Sequence, residues 1–412
     1  MLKKISTKEV RLGMHIHELK GSWVDHPFWK SKFIIDNPKD LAKLQTSVIK
    51  EVVIDISKGL DVDKQQGAFT NAPISSEVTL ATSSDNTDVY KTRANKVSAT
   101  EEAKAAKRAI NASKRAVASM FSDMRMGKAV SSAVAMNLVS DIAASVSRNQ
   151  NALISLARLK TKDDYTYMHS VAVCAMMVAL AKQLNLSEAE TKQAGLAGLM
   201  HDIGKAGIPL EVLNKPGALT DEEFTLVKLH PQRGHDMLKE AGIDDETVLD
   251  VCLHHHEKID GSGYPNKLKD EQISLFAKMG AVCDVYDAIT SNRPYKSGWD
   301  PCVSLQRMAQ WKGHFDDAIF KAFVKSLGIY PIGSTLMLKS GRLAVVIDQS
   351  PKSLLTPIVK VFFSTRTKSR IPISVIDLSK SSERDTIVGY EDPVNWGVLN
   401  VDEVWSQFEI WD

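Results

Sequence analysis

The histidines of this 412-residue chain are concentrated in one segment, where their spacing suits a metal site. Of the eleven histidines, seven lie between His169 and His256. His201 is followed directly by Asp202, and Lys205 comes three residues later. Positions three and four apart share one face of a helix, so these three side chains can point to one place. An adjacent His and Asp supply a nitrogen and an oxygen ligand, and a carboxylate can bridge two divalent ions. If only the pentapeptide at 201–205 is considered, the alternative to a metal site is a structural His–Asp pair at a helix end.

The other histidines of the segment differ in what their surroundings predict. His169 lies among apolar residues with helical spacing, where a satisfied core histidine is the alternative to a ligand. His230 precedes a proline and is expected near a helix terminus, where its side chain can point into a cleft. Three consecutive histidines at 254–256 cannot all face one way on a helix, so at most two should be ligands. We assign no metal role to His235 or His254.

Two carboxylates lie in a predicted helical segment, and two cations follow it. Asp284 and Asp287 are three residues apart in otherwise apolar sequence. Buried carboxylates are costly unless they bind a metal or pair with a cation. Arg293 and Lys296 come nine and twelve residues after Asp284, and both can contact a phosphate.

Residues 260–265, Asp-Gly-Ser-Gly-Tyr-Pro, predict a tight loop beside these groups. Gly261 and Gly263 permit positive φ and a close approach of the backbone to a bound group. Tyr264 can then present its ring and its hydroxyl to that group.

Together these residues form one candidate ligand shell of five histidines and two aspartates. Such a shell suffices for two octahedral ions that share a bridging carboxylate and hydroxide, with positions left open for substrate. Imidazole and carboxylate without thiolate favour iron, manganese, cobalt or zinc over calcium or magnesium. Two such ions, with Lys and Arg nearby, suit hydrolysis of a phosphate ester, because the metals acidify the bridging water and the cations hold the phosphate charge. The candidate ligands are His169, His201, Asp202, His230, His255, His256 and Asp284.

The elements that must position these residues are mainly helical. Thr220-Asp-Glu-Glu is a capping-box start, and an apolar helix is predicted from Ser274 to Ser291. Before them, Val52 begins a β-branched strand, and after residue 330 the pattern changes to the period of two that is typical of strands. The predicted organisation is a small N-terminal α/β domain, a polar linker, a helical connector, a helical catalytic domain and a small β-rich C-terminal domain, at 1–60, 61–95, 96–150, 151–330 and 331–412.

Composition excludes several functional classes. Lys and Arg number 52 against 50 Asp and Glu, and a net charge of +2 gives no general attraction to a nucleic acid polymer or an anionic membrane. The longest apolar run, Val171 to Ala181, is too short to cross a bilayer, and the N-terminus has no signal-peptide pattern. The four cysteines show no paired spacing. These features predict a cytoplasmic protein without membrane insertion.

Three motifs taken together resemble the HD-GYP domain, a branch of the HD phosphohydrolase superfamily. They are His201-Asp-Ile-Gly-Lys205, His255-His256-Glu257 and Asp260-Gly-Ser-Gly-Tyr-Pro265, and the similarity runs from about residue 153 to 328. The first 60 residues resemble an uncharacterised domain that is often fused to HD-GYP, through Leu12-Gly-Met, Trp23 and His26-Pro-Phe. The resemblance implies an all-α bundle, a centre of two or three metals, usually iron or manganese, and hydrolysis of cyclic di-GMP to pGpG or GMP.

The resemblance also implies a role for each matching residue. Tyr165 occupies the position where members with three metals carry a glutamate, so we expect two ions. Asp202 and Lys205 are assigned to catalysis, with Asp202 bridging the two metals. The first metal is assigned to His169, His201, Asp202 and Asp284, and the second to Asp202, His230, His255 and His256. The substrate contacts are assigned to Lys205, Tyr264, Asp287, Arg293 and Lys296.

We therefore predict a mainly α protein, in which an HD-type helical bundle carries the active site. It is expected to act as a metal-dependent cyclic di-GMP phosphodiesterase in bacterial signalling, with two iron or manganese ions as cofactors; zinc, cobalt and nickel are compatible with the ligands. Two alternatives are a catalytically weak cyclic di-GMP sensor or interaction protein and an HD hydrolase of another nucleotide. Expected partners are cyclic di-GMP, signalling proteins and a second copy of the chain.

Overall fold

The computed structural model describes residues 2–20, 33–45, 49–61, 98–128, 131–158, 165–215, 217–292, 298–350, 353–380 and 385–406. The predicted linker lies outside these ranges except at residue 61, as do Trp23 and the 26–28 motif. Contacts divide the chain into two compact units, Met1–Thr92 and Arg93–Asp412. The two units are described separately below.

The first unit is a small antiparallel sheet with one helix. Its described elements are β1 (Leu2–Ser6), β2 (His15–Lys20), β3 (Phe33–Ile34), α1 (Pro38–Gln45) and β4 (Glu51–Asp55). The strand order is β1-β4-β2-β3. β4 contains the strand predicted from Val52, and Met14, Ile16, Val52 and Ile54 fill the core. The predicted α/β character of this region is confirmed.

The second unit consists mainly of helices. They are α2 (Ala99–Arg125), α3 (Ser132–Arg158), α4 (Tyr165–Gln183), α5 (Glu188–Met200), α6 (Leu210–Leu213), α7 (Asp221–Val227), α8 (His230–Glu240), α9 (Glu246–His254), α10 (Leu275–Thr290), α11 (Pro301–Gln310), α12 (Asp317–Leu327) and α13 (Asp402–Ser406). The mainly α fold class is therefore confirmed.

Local sequence accounts for where several of these helices begin. Ser98, Ser187 and Thr220 each form a capping box with a glutamate three residues later, at the starts of α2, α5 and α7. Ser274 caps α10, as its sequence pattern predicted. In α4, every side chain from Val171 to Ala181 is buried, because helices α3, α5, α10 and α12 pack around it.

A five-stranded antiparallel sheet follows the helices. It contains β5 (Thr335–Leu338), β6 (Arg342–Asp348), β7 (Ile358–Ser364), β8 (Ser369–Asp377) and β9 (Ile387–Tyr390), in the order β8-β7-β6-β5-β9. Leu336, Val345 and Val361 on its strands belong to the same hydrophobic core cluster as the helices. The predicted β-rich C-terminal segment is confirmed, although the sequence pattern did not identify β8 and β9. Among the residues described, no helix has the length and apolar character needed to cross a membrane.

Candidate metal centre

Five structural elements bring the predicted ligands together. His169 lies in the first turns of α4, while His201 and Asp202 follow α5 directly. A 3-10 turn, Ile203–Gly207, then packs against α8, and only glycine fits at Gly204, because a Cβ there would lie 2.0 Å from the carbonyl oxygen of His230. The remaining ligands are placed by the start of α8, the end of α9 and the middle of α10, which carry His230, His255 with His256, and Asp284.

Asp202 lies between two groups of imidazoles, and each of its oxygens faces one group. Its Oδ2 is 3.3 Å from Nε2 of His169 and 3.5 Å from Nε2 of His201. Its Oδ1 is 3.2 Å from Nε2 of His230 and 3.8 Å from Nε2 of His255. A carboxylate with one oxygen facing each group could offer a ligand atom to an ion in each of them.

Each group alone has the composition of a metal site. In the group of His169, His201 and Asp202, and in the group of His230, His255 and His256, the candidate ligand atoms all lie within 4.8 Å of one another. Both groups match the sequence assignment. His256 is placed less deeply than the other ligands, since its side chain keeps more exposure to solvent.

Asp284 faces both groups. Its Oδ1 lies 3.0 Å from Nε2 of His169 and 3.8 Å from Nε2 of His201. Its Oδ2 lies 3.6 Å from Nδ1 of His256, which belongs to the second group. The sequence assignment placed Asp284 on the first metal alone, whereas the structure places it next to ligands of both.

Asp202 shows a buried polar atom that a cation would satisfy. The carboxylate is fully buried, and within the described chain its Oδ1 accepts no hydrogen bond. Leaving such an atom unsatisfied costs about 1–3 kcal/mol, and more when the group is charged. The surrounding Nε2 atoms also approach one another, at 3.3 Å between His169 and His201 and 3.2 Å between His230 and His255. In each group the imidazole lone pairs are directed at one point beside the Asp202 carboxylate. This arrangement fits one divalent ion in each group.

Three of the histidines are oriented by the ends of the helices before them. The last carbonyls of a helix have no partner within it. The carbonyls of Gly198, Val227 and Cys252, near the ends of α5, α7 and α9, are 2.8, 2.8 and 3.0 Å from the Nδ1 atoms of His201, His230 and His255. A carbonyl can only accept, so each Nδ1 carries the proton. Each Nε2 is therefore left with a lone pair that faces the centre.

His169 is oriented by a carboxylate, and this changes the role expected for Asp287. Asp287 is buried, and its Oδ2 lies 2.6 Å from Nδ1 of His169, on the side of the ring away from His201 and Asp202. Ser291 donates a hydrogen bond to its other oxygen, at 3.3 Å. We expected Asp287 among the substrate contacts; the structure instead places it behind a ligand, where it can fix the ring orientation of His169.

The electrostatics of the centre favour bound positive charge. Burial opposes ionisation of Asp202, but Lys205 and the neighbouring histidines hold the pKa of this carboxyl well below its usual range. The ammonium of Lys205 donates to Asp202 Oδ2 directly. Burial disfavours a charged His169, yet Asp202, Asp284 and Asp287 raise its pKa well above the ordinary value. The negative charge of three carboxylates around the His169 imidazole therefore favours a positive charge at this place, either a proton on the ring or a bound metal ion.

In the second group of imidazoles the pKa of His255 is shifted in the opposite direction to that of His169. Burial lowers the pKa of His255 well below its usual value, and the neighbouring imidazoles lower it further. Its ring is consequently neutral near pH 7, and its Nε2 lone pair is available without loss of a proton. Neutral imidazole is the form that binds metals.

The predicted loop lies against His256. The ring of Tyr264 stacks on the ring of His256, with centroids 4.7 Å apart and planes at 27°. Gly261 has a φ of +76°, as expected, but Gly263 has no positive φ. Gly263 is needed for space, since a Cβ there would lie 2.5 Å from Cα of Glu257.

Glu257 holds this loop in place, a role that the sequence analysis missed. Its buried carboxylate accepts hydrogen bonds from the backbone amides of Asn266 and Leu268, at 2.6 and 3.1 Å. These bonds close the loop from the residue next to His256 to the residues just beyond Tyr264. This role of Glu257 could have been predicted from its position, because it directly follows the candidate ligand histidines and precedes a glycine-rich loop.

The remaining predicted residues fall into two classes. His235 and His254 are outside the centre, as expected: Nδ1 of His254 is 2.7 Å from Asp250 and its Nε2 is 3.0 Å from Asn266. Arg293 and Lys296 lie outside the described residues, and so does the side chain of Tyr165. Their proposed roles stay predictions.

Known proteins and protein families resemble this chain. The family described as HD domain matches residues 134–319, and a domain of unknown function, DUF3391, matches residues 2–135. Cyclic di-GMP phosphodiesterase PA4108 of Pseudomonas aeruginosa is 53% identical over 407 residues, which cover 98% of this chain and 96% of the relative.

Two further relatives match less than half of this chain. Cyclic di-GMP phosphodiesterase response regulator RpfG of Xanthomonas campestris is 37% identical over 41% of this chain and 46% of its own. The 3'3'-cGAMP-specific phosphodiesterase 1 of Vibrio cholerae is 32% identical over 42% of this chain and 41% of its own. With the full-length match, these similarities confirm the expected resemblance: the chain belongs to the HD-domain cyclic di-GMP phosphodiesterases, the HD-GYP branch of the HD phosphohydrolases.

Proposed function

We propose that this chain hydrolyses cyclic di-GMP to pGpG, GMP or both, with two divalent ions held on either side of Asp202. The observation that carries the proposal is the position of the two Asp202 oxygens, each facing its own group of imidazoles. A single carboxylate placed in this way would let two bound ions act on one phosphodiester.

The residues that would hold the ions follow from the two groups. His169, His201, Asp202 and Asp284 would hold the first ion, and His230, His255, His256 and Asp202 the second. When bound, the ions would acidify water and stabilise the negative charge that develops on the phosphate oxygens.

The protein's own groups prepare the site for that chemistry. Lys205 neutralises part of the charge on Asp202 and is partly exposed, so its ammonium can also contact a phosphate. Tyr264, stacked on His256, forms a wall of the site. Arg293 and Lys296 are proposed as further phosphate contacts. A dianionic substrate needs only a few such cations, which agrees with a chain of net charge +2.

Iron or manganese is proposed as the physiological metal. Cysteine does not contribute to the centre: Cys252 and Cys283 are buried, and burial raises the pKa of both thiols, so they stay protonated near pH 7. Imidazole with carboxylate is a ligand set for iron and manganese, and zinc, cobalt or nickel also fit it. A cytoplasmic location, a homodimer and signalling-protein partners remain predictions from the sequence.

An anaerobic assay with purified protein tests the proposal. The chain is loaded with Fe(II) or Mn(II), mixed with cyclic di-GMP and followed by chromatography. We expect pGpG or GMP to form with the unchanged chain and with His254→Ala, a histidine outside the centre, and product formation to be lost in His201→Ala and Asp202→Ala.

The same assay separates the two alternatives. Tight binding of cyclic di-GMP without product under every metal condition would indicate a sensor. Turnover of other nucleotides, such as 3'3'-cGAMP, without turnover of cyclic di-GMP would indicate a hydrolase of different specificity.

A further inference from the structure

One exposed cation close to the centre has no role in the chemistry described so far. Lys228 directly follows α7 and precedes His230 by two residues. Its Nζ lies 5.5 Å from the ring centre of Tyr264, whose ring stacks on His256. One aromatic ring therefore separates the Lys228 ammonium from a proposed metal ligand.

The position of this ammonium is set by aromatic rings. Nζ of Lys228 also lies 4.6 Å from the ring centre of Phe224, one helical turn earlier on α7. A cation over an aromatic face is attracted by the negative potential of the ring. Phe224 and Tyr264 thus hold the lysine head beside the loop without accepting a conventional hydrogen bond from it.

Lys228 keeps its donors available for a ligand. Within the described part of the chain, no carboxylate lies within 4.0 Å of its Nζ and no oxygen accepts a hydrogen bond from it. Another lysine close by in sequence is paired instead: Lys215 binds Glu223 of α7 at 2.6 Å. An ammonium has three donors, and those of Lys228 are directed at π faces and solvent.

We propose that Lys228 binds the second phosphodiester of the cyclic dinucleotide, the one that is not being hydrolysed; this inference rests on the proposed function. A cyclic dinucleotide carries two phosphodiesters in one closed ring, so one at the metals keeps the other nearby. An ammonium binds such a group as a point charge. Lys228 is thereby a specificity-determining residue, which favours cyclic dinucleotides over simple diesters.

Kinetics with two substrates test this role. Lys228→Ala is compared with the unchanged chain on cyclic di-GMP and on bis(p-nitrophenyl) phosphate, which has a single phosphate. We expect kcat/KM for cyclic di-GMP to fall about 10-fold, mainly through KM, since the variant loses a hydrogen bond to a charged group, and solvent exposure limits what that bond contributes. The preference for cyclic di-GMP over the simple diester should fall by a similar factor.

Three controls sharpen the test. Lys228→Arg should retain most of the preference, because it keeps the charge. Lys239→Ala removes an exposed lysine near the other end of α8, about 14 Å from His230 at 1.5 Å per residue, and should leave the preference unchanged. The effect of Lys228→Ala should shrink when the salt concentration rises from 50 to 500 mM, as surface charge contacts do.

Several results would overturn the assignment. If kcat/KM of Lys228→Ala falls equally on both substrates, Lys228 supports the reacting phosphate or the fold. If kcat/KM does not fall on either substrate, Lys228 does not take part in binding. If Lys228→Ala lowers kcat/KM for cyclic di-GMP but leaves the inhibition constant of cyclic di-AMP unchanged, Lys228 contacts the guanine base and not the phosphodiester. Should the unchanged chain hydrolyse the simple diester but not cyclic di-GMP, the proposed function fails; the inhibition constants of both dinucleotides would then still test Lys228.

Discussion

The floor of the candidate active site and its rim are built on different physical principles. On the floor, His201, Asp202, His230 and His255 are almost fully buried, and helix ends fix the orientation of the three histidines. On the rim, Tyr264 is only partly buried, and it is held by stacking and by a loop. The floor has little freedom to rearrange, whereas the rim can adapt.

We therefore expect the floor and the rim to have different roles in metal binding and in substrate recognition. The floor presents the seven proposed ligands and would therefore determine how many ions bind and where. The rim carries an aromatic ring and the exposed Lys228, which suit recognition of the remainder of a nucleotide. Changes on the floor should thus alter metal content and kcat, and changes on the rim should alter mainly KM.

The largest effect is expected for Asp202→Asn on the floor. The substitution keeps the size of the side chain but removes the charge shared by both groups of imidazoles. We expect kcat to fall by about three orders of magnitude or more, since the metals contribute several kcal/mol, and metal content to fall below two ions per chain. Product chromatography and elemental analysis measure both. A variant with full metal content and more than a tenth of the activity would contradict the proposed bridge.

Asp287→Asn tests the support behind the floor. The amide can no longer accept the Nδ1 proton of His169 as a charged partner, so the ring orientation is weakened. Metal affinity or activity should fall about 10- to 100-fold, the usual range for groups that orient a metal ligand. Asp250→Asn is the matched control, because Asp250 makes the same kind of contact with His254 outside the centre. Equal losses in both variants would show that Asp287 acts through stability alone.

Glu257→Gln tests whether the loop positions the rim. A glutamine oxygen can accept from one of the two amides, while its NH2 group opposes the other, so one buried polar contact is lost at about 1–3 kcal/mol. KM for cyclic di-GMP should rise about 10-fold while the metal content stays at two. A loss of metal without a change in KM would show that the loop belongs to the floor.

The smallest effect is expected for loss of the Tyr264 hydroxyl. Tyr264→Phe keeps the ring on His256 and removes only the hydroxyl, so KM should change by less than about 3-fold unless that hydroxyl binds substrate. Tyr264→Ala removes the stacked ring and should raise KM about 10-fold, since aromatic pairs are worth about 0.5–1.5 kcal/mol beyond burial. Steady-state kinetics of both variants separate the ring from the hydroxyl.

The sequence was sufficient for features set by local spacing. His201, Asp202 and Lys205 lie within five residues, so their proximity depends on one turn of the chain. The orientation of His201 by the carbonyl of Gly198 is equally local, as it follows from a histidine placed at a helix end.

Features that depend on distant contacts could not be predicted from spacing. The spacing of Asp284 and Asp287 places both on one face of α10, but which of them faces the ions depends on the position of His169 in α4, 118 residues before Asp287. The clamp of Glu257 on Asn266 and Leu268 depends in the same way on how the loop folds back. Strands β8 and β9 form because neighbouring strands offer them pairing partners, which their own sequences do not reveal.

Whether Asp202 joins two ions in one centre can be decided by electron paramagnetic resonance of the Mn(II)-loaded chain. We expect a spectrum of two exchange-coupled manganese ions in the unchanged chain, and an uncoupled mononuclear spectrum in Asp202→Asn. Two uncoupled ions in the unchanged chain, or coupling that persists in Asp202→Asn, would show that Asp202 does not bridge the ions.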